Sequence, residues 1–430
     1  MKPSALSPCL LGLAAALLAL ASPLSAVETS LTTNAVSLEH LVTEALNDNP
    51  ELAFYRAEID AAKSGQRTAA AYPNPDISFE VGQKRVSDTR GTLLGEGVAW
   101  SVTLAQPLEF PGRLALRKAI AGRQIELAEL GLGQFRATLA ARTRELGFHL
   151  LIAEQRSRAA REVAARGREL LAVLVQRDPA GTTPLLETRV IEANVLTLER
   201  RASQADEAVQ EALLELNQLR GRPYTNALRL LPAPPVFAEP PALEALLTRA
   251  ATNNYELRQR QAELQQQGFQ VTLAQQERWP KVTVSPFYSR ERANDDQTIV
   301  GVGVSLPLPL WNQNRAPVEI AAARRQQAET TLVVAQRDVE RQLTRHYLAY
   351  RTKLAEMARW RSDAAEQFRD AAELGDRHYR LGSLPVGTYL ELQKQYLEAV
   401  DALLDTQAEA LDHRQQLELL TGLPLSTVQP

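Results

Sequence analysis

The sequence predicts a mainly α-helical protein that also supplies strands to a membrane β-barrel. Three observations support this class: two segments alternate apolar with small or polar residues, long proline-free stretches favour helix, and the whole pattern occurs twice. Alternation with a period of two indicates strands with one apolar face, whereas near-heptad spacing of apolar residues indicates coiled-coil helices. The chain therefore combines short hairpins with helices too long for a compact domain.

The two alternating segments are predicted β-hairpins, at about residues 76–108 and about 281–308. In the first, Ile77, Phe79 and Val81 are separated by single polar or small residues. Runs of about ten residues with turn residues at one end are typical of membrane barrel strands. An ordinary half-buried hairpin shows the same pattern, so the hairpins alone leave both readings open.

Each hairpin is followed by a predicted long helix, a tip turn and a return helix. The long helix covers about residues 113–177 in the first half and about 317–379 in the second. The tip turns cover residues 178–184 and 380–388. Proline and glycine mark these turns, because proline cannot continue a helix and glycine accepts the left-handed backbone that ends one.

The two halves form an internal repeat, with a first unit at 27–230, a proline-rich linker at 231–241 and a second unit at 242–425. The helices that open the units are each predicted to be uninterrupted, over 37–71 and 242–278. The matched pairs include Leu38 with Leu243, Asn49 with Asn254, Pro75 with Pro280, Gly181 with Gly382, and Gly221 with Gly422. Matches at such a separation indicate one supersecondary unit used twice.

The N-terminus predicts export. Residues 1–26 have a charged start at Lys2, an apolar run and small residues before a cleavage site, as signal peptides do. Cys9, the only cysteine, lies within this segment, so the mature chain has no disulfide or thiol chemistry. No later apolar run approaches the roughly 20 residues of a membrane-spanning helix. The net charge of −3 gives no basic footprint for nucleic acid.

Four strands per chain cannot close a barrel, and lipid does not tolerate open sheet edges. Two copies would give eight strands with a filled interior, whereas three copies would give twelve and room for a water-filled bore. The small residues Ala99, Ser101, Gly301 and Gly303 favour an open interior. If the strands span the outer membrane, the sequence therefore predicts a homotrimer in outer membrane lipid; a soluble periplasmic protein is the alternative. The trimer's twelve-stranded barrel, four strands from each chain, continues as a long α-helical barrel that places most of the mass in the periplasm.

Two segments carry a family resemblance: residues 106–113, with the sequence QPLEFPGR, and residues 306–314, with the sequence LPLPLWNQN. With the doubled plan, they resemble the TolC-type outer membrane efflux protein family over essentially the whole mature chain. They are most similar to its heavy-metal, cobalt–zinc–cadmium branch. The resemblance implies a passive exit duct for heavy-metal cations, joined by a periplasmic adaptor (membrane fusion) protein to an inner-membrane transporter of the resistance–nodulation–division (RND) type.

Two other functions remain open at the level of sequence. The same channel fold could serve drug efflux or type I protein secretion. A periplasmic coiled-coil adaptor or scaffold is the alternative from another class. Adaptors usually carry one long helical hairpin and β-rich soluble domains, which this doubled plan lacks.

The helix reversals are the adaptor contact that the resemblance implies. Tip turns of the family have a glycine near the start, followed by small residues. The matching positions here are Gly181, Thr182, Arg380, Leu381, Gly382, Ser383, Val386, Gly387 and Thr388. The alternative is that these residues form ordinary helix turns, which also need glycine for a left-handed cap.

A constriction of the pore is the second implied feature. Some family members carry acidic rings just past the tip, and alignment through the tip glycines places Glu187 and Glu391 in that zone. Three copies of such a glutamate would attract cations. The sequence departs from the family pattern at Thr388, where an aspartate is expected, and a solvated helix face explains the glutamates equally well.

Phe110, Trp279 and Trp311 lie at hairpin ends, where membrane barrels carry aromatic girdles. Local core packing is the alternative for these three residues. The five histidines are scattered, and no pair of them shows metal-ligand spacing with a third ligand nearby. No catalytic arrangement stands out either. We therefore expect no catalytic residue, no bound metal and no cofactor, and the chain is predicted not to be an enzyme.

Overall fold

The computed structural model describes residues 35–177, 185–232, 237–311, 313–360 and 364–425. The predicted signal peptide lies outside the described residues. The first unit contains α1 (Leu38–Asp48), α2 (Glu51–Ala69), β1 (Asp76–Ser87), β2 (Leu93–Leu108), α3 (Arg113–Arg177) and α4 (Leu185–Leu219). The second contains α5 (Leu243–Asn253), α6 (Tyr255–Gln276), β3 (Val282–Arg292), β4 (Asp296–Ser305), α7 (Arg315–Arg359), α8 (Ala364–Arg380) and α9 (Val386–Thr421).

The four strands form one antiparallel sheet in the order β1-β2-β3-β4. Each predicted hairpin supplies two neighbouring strands, and β2 joins the hairpin of the first unit to β3 of the second. The pairing of β2 with β3 keeps one register from Ala99 opposite Glu291 to Leu108 opposite Val282. Because side chains alternate along a strand, a constant register keeps each face continuous across both units.

The opening helix of the first unit is two helices, so the prediction of an uninterrupted helix is wrong. α1 ends before Asn49 and α2 begins after Pro50, which has no N–H group and disfavours helix in the residue before it. The buried Asn49 side chain accepts a hydrogen bond from the Glu51 N–H at 2.9 Å. It also donates to the carbonyl oxygen of Leu219 at 2.9 Å. The break therefore joins the start of the unit to the end of its return helix.

The second unit repeats this break without a proline. The buried Asn254 accepts a hydrogen bond from the Leu257 N–H at 3.0 Å, which caps α6. Its amide donates to the carbonyl oxygen of Leu420 at 2.9 Å. Asparagine side chains compete with the helical backbone for hydrogen bonds, and such a carbonyl near a helix end has no partner within its own helix. This competition ends α5, and the continuous helix predicted over 242–278 is therefore wrong as well.

Glycines complete both junctions. Gly221 and Gly422 follow the return helices with φ values of 63° and 68°. A Cβ atom at either position would lie 2.6 Å from a backbone carbonyl oxygen, that of Asp48 or that of Asn253. Only glycine allows this close approach together with a left-handed backbone.

The long helix of the second unit is also interrupted. The prediction of one helix over 317–379 is wrong, because α7 ends at Arg359 and Trp360 has an extended backbone, with φ −77° and ψ 135°. α8 begins at Ala364. Neither proline nor glycine lies between Arg359 and Ala364, so the sequence carries no turn signal there. The helix predicted over 113–177, in contrast, coincides with α3.

Three buried apolar clusters join the described helices other than α2. One cluster, around Leu41 and Leu150, joins α1, α3 and α4. A second, around Leu343, joins α5, α6, α7 and α9. The third joins α3 and α4 to α8 and α9, and small alanines such as Ala160 and Ala372 let these helices approach closely. The third cluster therefore packs helices of the two units against each other.

Among the described helices, none is both long enough and apolar enough to cross a membrane.

Candidate functional site

One face of the sheet is apolar and exposed. The register places Phe79 opposite Val102, and Tyr288 opposite both Val102 and Val300. Phe79 and Val300 are 64% and 75% exposed. Further exposed apolar side chains on this face are Ile77, Val81, Leu104, Val302 and Val304. A continuous patch of this kind marks a surface that contacts lipid or another protein.

The opposite face of the sheet is polar. Ser101 lies opposite Glu80 and Ser289, and the Lys84 Nζ atom lies 2.9 Å from the Glu291 carboxylate. The residues predicted to line an open interior, Ala99, Ser101, Gly301 and Gly303, all lie on this face. A sheet with one apolar and one polar face suits a wall between lipid and water.

β1 and β4 are the two edges of this sheet. No other strand of the described ranges pairs with either edge. Each edge therefore presents a row of backbone N–H and C=O groups without partners in the chain. Such groups cost several kcal/mol each, by order of magnitude, when they are placed in lipid without hydrogen bonds. The sheet of one chain is therefore incomplete as a membrane structure.

The sheet meets the helices at a cluster of aromatic and charged residues. The rings of Phe110 and Trp279 stack at a centroid distance of 6.2 Å with an interplanar angle of 7°. Arg113, which is buried, lies 5.7 Å from the Phe110 ring centre and donates hydrogen bonds to the carbonyl oxygens of Gln276 and Trp279. Phe110 and Trp279 remain partly exposed, and Trp311 is 93% exposed. Their placement at a membrane interface stays a prediction.

The resemblance segment 106–113 also carries an ionic link between the two units. The Glu109 carboxylate, whose side chain is 6% exposed, lies 3.0 Å from Arg117 of α3 and 3.9 Å from Lys281, which directly precedes β3. With Arg113, it connects the strand of one unit to the hairpin of the other. This segment therefore has a structural role at the junction of sheet and helices.

The tip turn of the second unit is shorter than the predicted 380–388. Gly382 has a φ of 74°, and the Ser383 N–H donates to the carbonyl of His378 at 3.0 Å, which closes a glycine cap at the end of α8. α9 begins directly after Pro385, so Val386, Gly387 and Thr388 form its first turn. The physical reason is that proline is compatible with a helix start but not with a helix interior.

Within this turn, the Leu381 side chain is 79% exposed, whereas Arg380 bonds to Asp376 at 2.8 Å. Gly181 and Thr182, the predicted tip residues of the first unit, lie outside the described residues. Contact of either tip with an adaptor stays a prediction.

Glu391 lies on the exposed side of α9. Its neighbours Tyr389 and Gln393 are buried, and burial raises the pKa of Tyr389 to about 12. The Glu391 carboxylate accepts a hydrogen bond from Gln395 at 2.6 Å. The side chain of Glu187 lies outside the described residues. The predicted constriction by these two glutamates therefore stays a prediction.

The histidines are not all isolated. The Nε2 atom of His149 on α3 lies 3.3 Å from the Asp412 carboxylate on α9, and Glu145 lies one turn before His149. The hydrogen bond that the Asp412 carboxylate accepts from the ring raises the pKa of His149, although burial opposes it. The ring nitrogens of His346 and His413 lie 3.2 Å apart, and burial lowers the pKa of both.

The prediction concerned pairs of histidines, and it did not consider His149 together with the carboxylates of Glu145 and Asp412. The four-residue spacing from Glu145 to His149 was a signal in the sequence, because such positions share one helix face. The approach of Asp412 depends on how α9 packs against α3, which no local pattern predicts.

The family described as outer membrane efflux protein matches residues 41–222 and 246–423. These two ranges fall within the two units predicted from the sequence, which confirms the internal repeat. The chain is also similar in structure to the outer-membrane channel OprN, with a TM-score of 0.74, 18% identity and coverage of 90% of this chain and 89% of OprN. At this identity the likeness shows the fold alone.

Among the curated proteins that are similar in sequence are a metal resistance protein and an export protein. The cobalt-zinc-cadmium resistance protein CzcC of Cupriavidus metallidurans is 26% identical over 307 residues, which cover 68% of this chain and 68% of CzcC. The pyoverdine export outer membrane protein OpmQ of Pseudomonas aeruginosa is 23% identical over 391 residues, which cover 86% of this chain and 81% of OpmQ.

Proposed function

We propose that this chain, which belongs to the outer membrane efflux protein family, carries heavy-metal cations out of the cell. The general function follows from the family: the protein is an outer membrane channel of a tripartite efflux system and is not an enzyme. A long helical extension of the channel lies in the periplasm. That the cargo is a heavy-metal cation is a more specific proposal than the channel function. Its support is the similarity to CzcC, a cobalt-zinc-cadmium resistance protein.

The observation that carries the channel function is the two-faced sheet with open edges. Its apolar face fits lipid, its polar face fits water, and its edge strands β1 and β4 need partners. TolC-family channels are trimeric, and three copies of this sheet give twelve strands. We infer that the β1 edge of one copy pairs with the β4 edge of the next. This pairing closes the wall of a barrel around a water-filled bore.

The partners of the channel belong to the same proposal. An adaptor contacts the tip turns, where the exposed Leu381 side chain offers an apolar anchor. An inner-membrane RND transporter supplies the energy, since channels of this family are not enzymes. Glu391 narrows the entrance with three copies of its carboxylate.

Export of an organic compound is the second candidate. It is favoured by the similarity to OpmQ, a pyoverdine export protein, over a larger share of the chain than the similarity to CzcC. The identity to OpmQ is lower, however, and the resemblance segments around Phe110 and Trp311 match the metal branch.

Deletion of the gene tests the cargo. The deletion strain is expected to tolerate lower concentrations of zinc, cobalt or cadmium salts than its parent, and a plasmid copy restores tolerance. Growth with an iron-binding organic chelator and with common antibiotics forms the second arm. Unchanged metal tolerance in a strain without another channel of this family contradicts the metal cargo. Sensitivity to organic compounds alone favours the second candidate.

A further inference from the structure

Three potential metal ligands converge where α3 packs against α9. Glu145 and His149 come from α3, and Asp412 comes from α9; one ligand atom from each lies within 4.8 Å of the others. We propose that Glu145, His149 and Asp412 form a binding site for a divalent cation of the zinc type. Nothing in the channel function requires this site, and its position in the helical part separates it from the sheet and from the tip turns.

The distance between the ligand atoms of His149 on α3 and Asp412 on α9 fits a bound metal ion. Ligands at 2.0–2.1 Å from a tetrahedral ion stand about 3.3–3.4 Å apart. The His149 Nε2 atom and the nearest Asp412 oxygen are 3.3 Å apart. These two ligands therefore need little rearrangement. Imidazole and carboxylate together are ligands that zinc accepts.

Glu145 completes the set from the same helix face as His149. Its side chain is 24% exposed and its carboxylate lies 2.7 Å from Arg142. Arg142 also lies 3.2 Å from Glu215 of α4. Glu145 can therefore turn toward the ion while Arg142 keeps Glu215 as its partner. Arg142 therefore competes with the metal ion for the Glu145 carboxylate. Removing the Arg142 charge is expected to raise the affinity for the ion.

The packing around the ligands is fixed by neighbouring contacts. Gln415 lies on α9, three residues after Asp412, and is buried. One orientation of its side-chain amide gives both the nitrogen and the oxygen a hydrogen-bond partner. In this orientation Gln415 donates to the Ala141 carbonyl at 2.6 Å and accepts from the Glu145 N–H at 3.2 Å. These bonds hold α9 against α3 one turn from Asp412. The His149–Asp412 spacing is therefore set by the helix pair and not by the side chains alone.

The charges also favour a cation. Two carboxylates beside a neutral imidazole balance a divalent ion. The Asp412 carboxylate, 3.3 Å from the His149 Nε2 atom, attracts a cation to this position. Three protein ligands leave a fourth position for water, and all three side chains are only half-buried. The site is therefore open to exchange and unlike a closed structural zinc site.

The simpler explanation is a hydrogen-bonded ion pair between His149 and Asp412 that never binds metal. The second histidine pair, His346 and His413, provides the contrast, because its nitrogens are 3.2 Å apart but no third ligand of the described chain lies beside them. Metal binding that depends on Glu145 and Asp412, and not on His346, separates the two explanations.

The test uses the full chain, purified in detergent and stripped with a chelator. Binding of Zn²⁺ is measured by titration calorimetry, and Co²⁺ is added as a coloured probe of four-coordinate geometry. We expect one Zn²⁺ per chain. The near-isosteric H149Q and D412N variants weaken binding at least about tenfold, since losing a ligand costs no less than losing its supporting partner. E145Q weakens it less, and R142Q strengthens it.

The matched controls are the H346Q/H413Q double variant and H40Q, which replaces an exposed histidine of α1. Both are expected to bind Zn²⁺ as the parent chain does, and circular dichroism confirms that each variant is folded. Absence of Zn²⁺ binding at millimolar concentration, undiminished binding by H149Q and D412N, or loss confined to the H346Q/H413Q variant each overturns the proposal. Because the measurement uses purified protein, it is independent of the deletion phenotype that decides the cargo.

Discussion

At the scale of single residues, the buried Glu44 carboxylate stabilises the first unit through ion pairs with two arginines. Its side chain is 11% exposed and lies 2.8 Å from Arg220 and 2.7 Å from Arg222, beyond the end of the return helix. The Arg220 side chain is 7% exposed, so removing Glu44 leaves a buried positive charge without its partner. The pair of Asp338 and Arg341 on α7 is exposed and lacks this penalty.

Replacement of Glu44 by alanine is expected to lower the free energy of unfolding by about 3 kcal/mol. The exposed counterpart D338A is expected to lower it by less than about 1 kcal/mol. Unfolding of the detergent-purified chain, followed by circular dichroism, measures both. Equal losses in the two variants contradict the role of burial.

The same contact predicts a dependence on pH. Burial works to raise the pKa of Glu44, but the hydrogen bonds from Arg220 and Arg222 outweigh it and hold the pKa below 4.5. A carboxyl whose pKa is lowered by folding contributes stability above its unfolded pKa and loses it as the pH falls through the folded value. The difference in unfolding free energy between the parent chain and E44A is therefore full at pH 7 and shrinks below about pH 4. A difference that stays constant on acidification contradicts this assignment.

At the scale of elements, Asn254 is expected to hold α5, α6 and α9 together. N254A removes both the cap of α6 and the bond to the Leu420 carbonyl, so we expect a loss of about 2 kcal/mol in unfolding free energy. T252A is the control, because the Thr252 hydroxyl bonds only to carbonyls of its own helix. Chemical denaturation compares the two variants. If T252A lowers the unfolding free energy as much as N254A does, the hydrogen bonds of Asn254 at the helix junction are not the cause of the loss.

The two faces of β4 give a second prediction at this scale. Val300 and Ile299 are neighbours on opposite faces, the first on the apolar face and the second opposite Ser289. A lysine on the lipid face of a barrel costs about 2–4 kcal/mol near the bilayer centre, whereas the water-filled side tolerates it. V300K should therefore reduce folded protein in outer-membrane fractions several-fold, and I299K should leave it near the parent amount.

Quantitative immunoblotting of heat-stable protein in those fractions measures the difference. Equal behaviour of V300K and I299K contradicts a lipid contact on the apolar face.

At the scale of the whole molecule, the open edges predict a closed ring of copies. Within one chain, β1 and β4 are separated by two strands, or about 14 Å, which is too far for a disulfide. E80C combined in turn with Q297C, I299C or G301C should give a disulfide between chains in at least one register. A ladder that ends at the trimer on non-reducing gels is the expected result.

The chain suits this experiment because its only cysteine, Cys9, lies in the predicted signal peptide. Variants with one introduced cysteine are the controls, and they should stay monomeric on the same gels. No cross-link in any register, or a ladder that ends at the dimer, contradicts closure by three copies.

Much of this architecture was predictable from the sequence. Alternation at Phe79 and Val300, the proline-free stretch that became α3, and the repeated glycines and prolines are local or periodic features. Periodicity identifies faces because the backbone imposes the same spacing in every protein. The doubled plan and the resemblance segments also led to the family, which the match over both units confirms.

The sequence by itself determined the class of each element, the internal repeat and the family. Only the tertiary structure decided where Asn49 and Asn254 break helices, where α7 ends, and that Asp412 meets His149. The physical reason is that these features depend on partners distant in sequence, such as Leu219, whose carbonyl oxygen needs a donor. Local propensity and spacing carry no information on which distant group satisfies another.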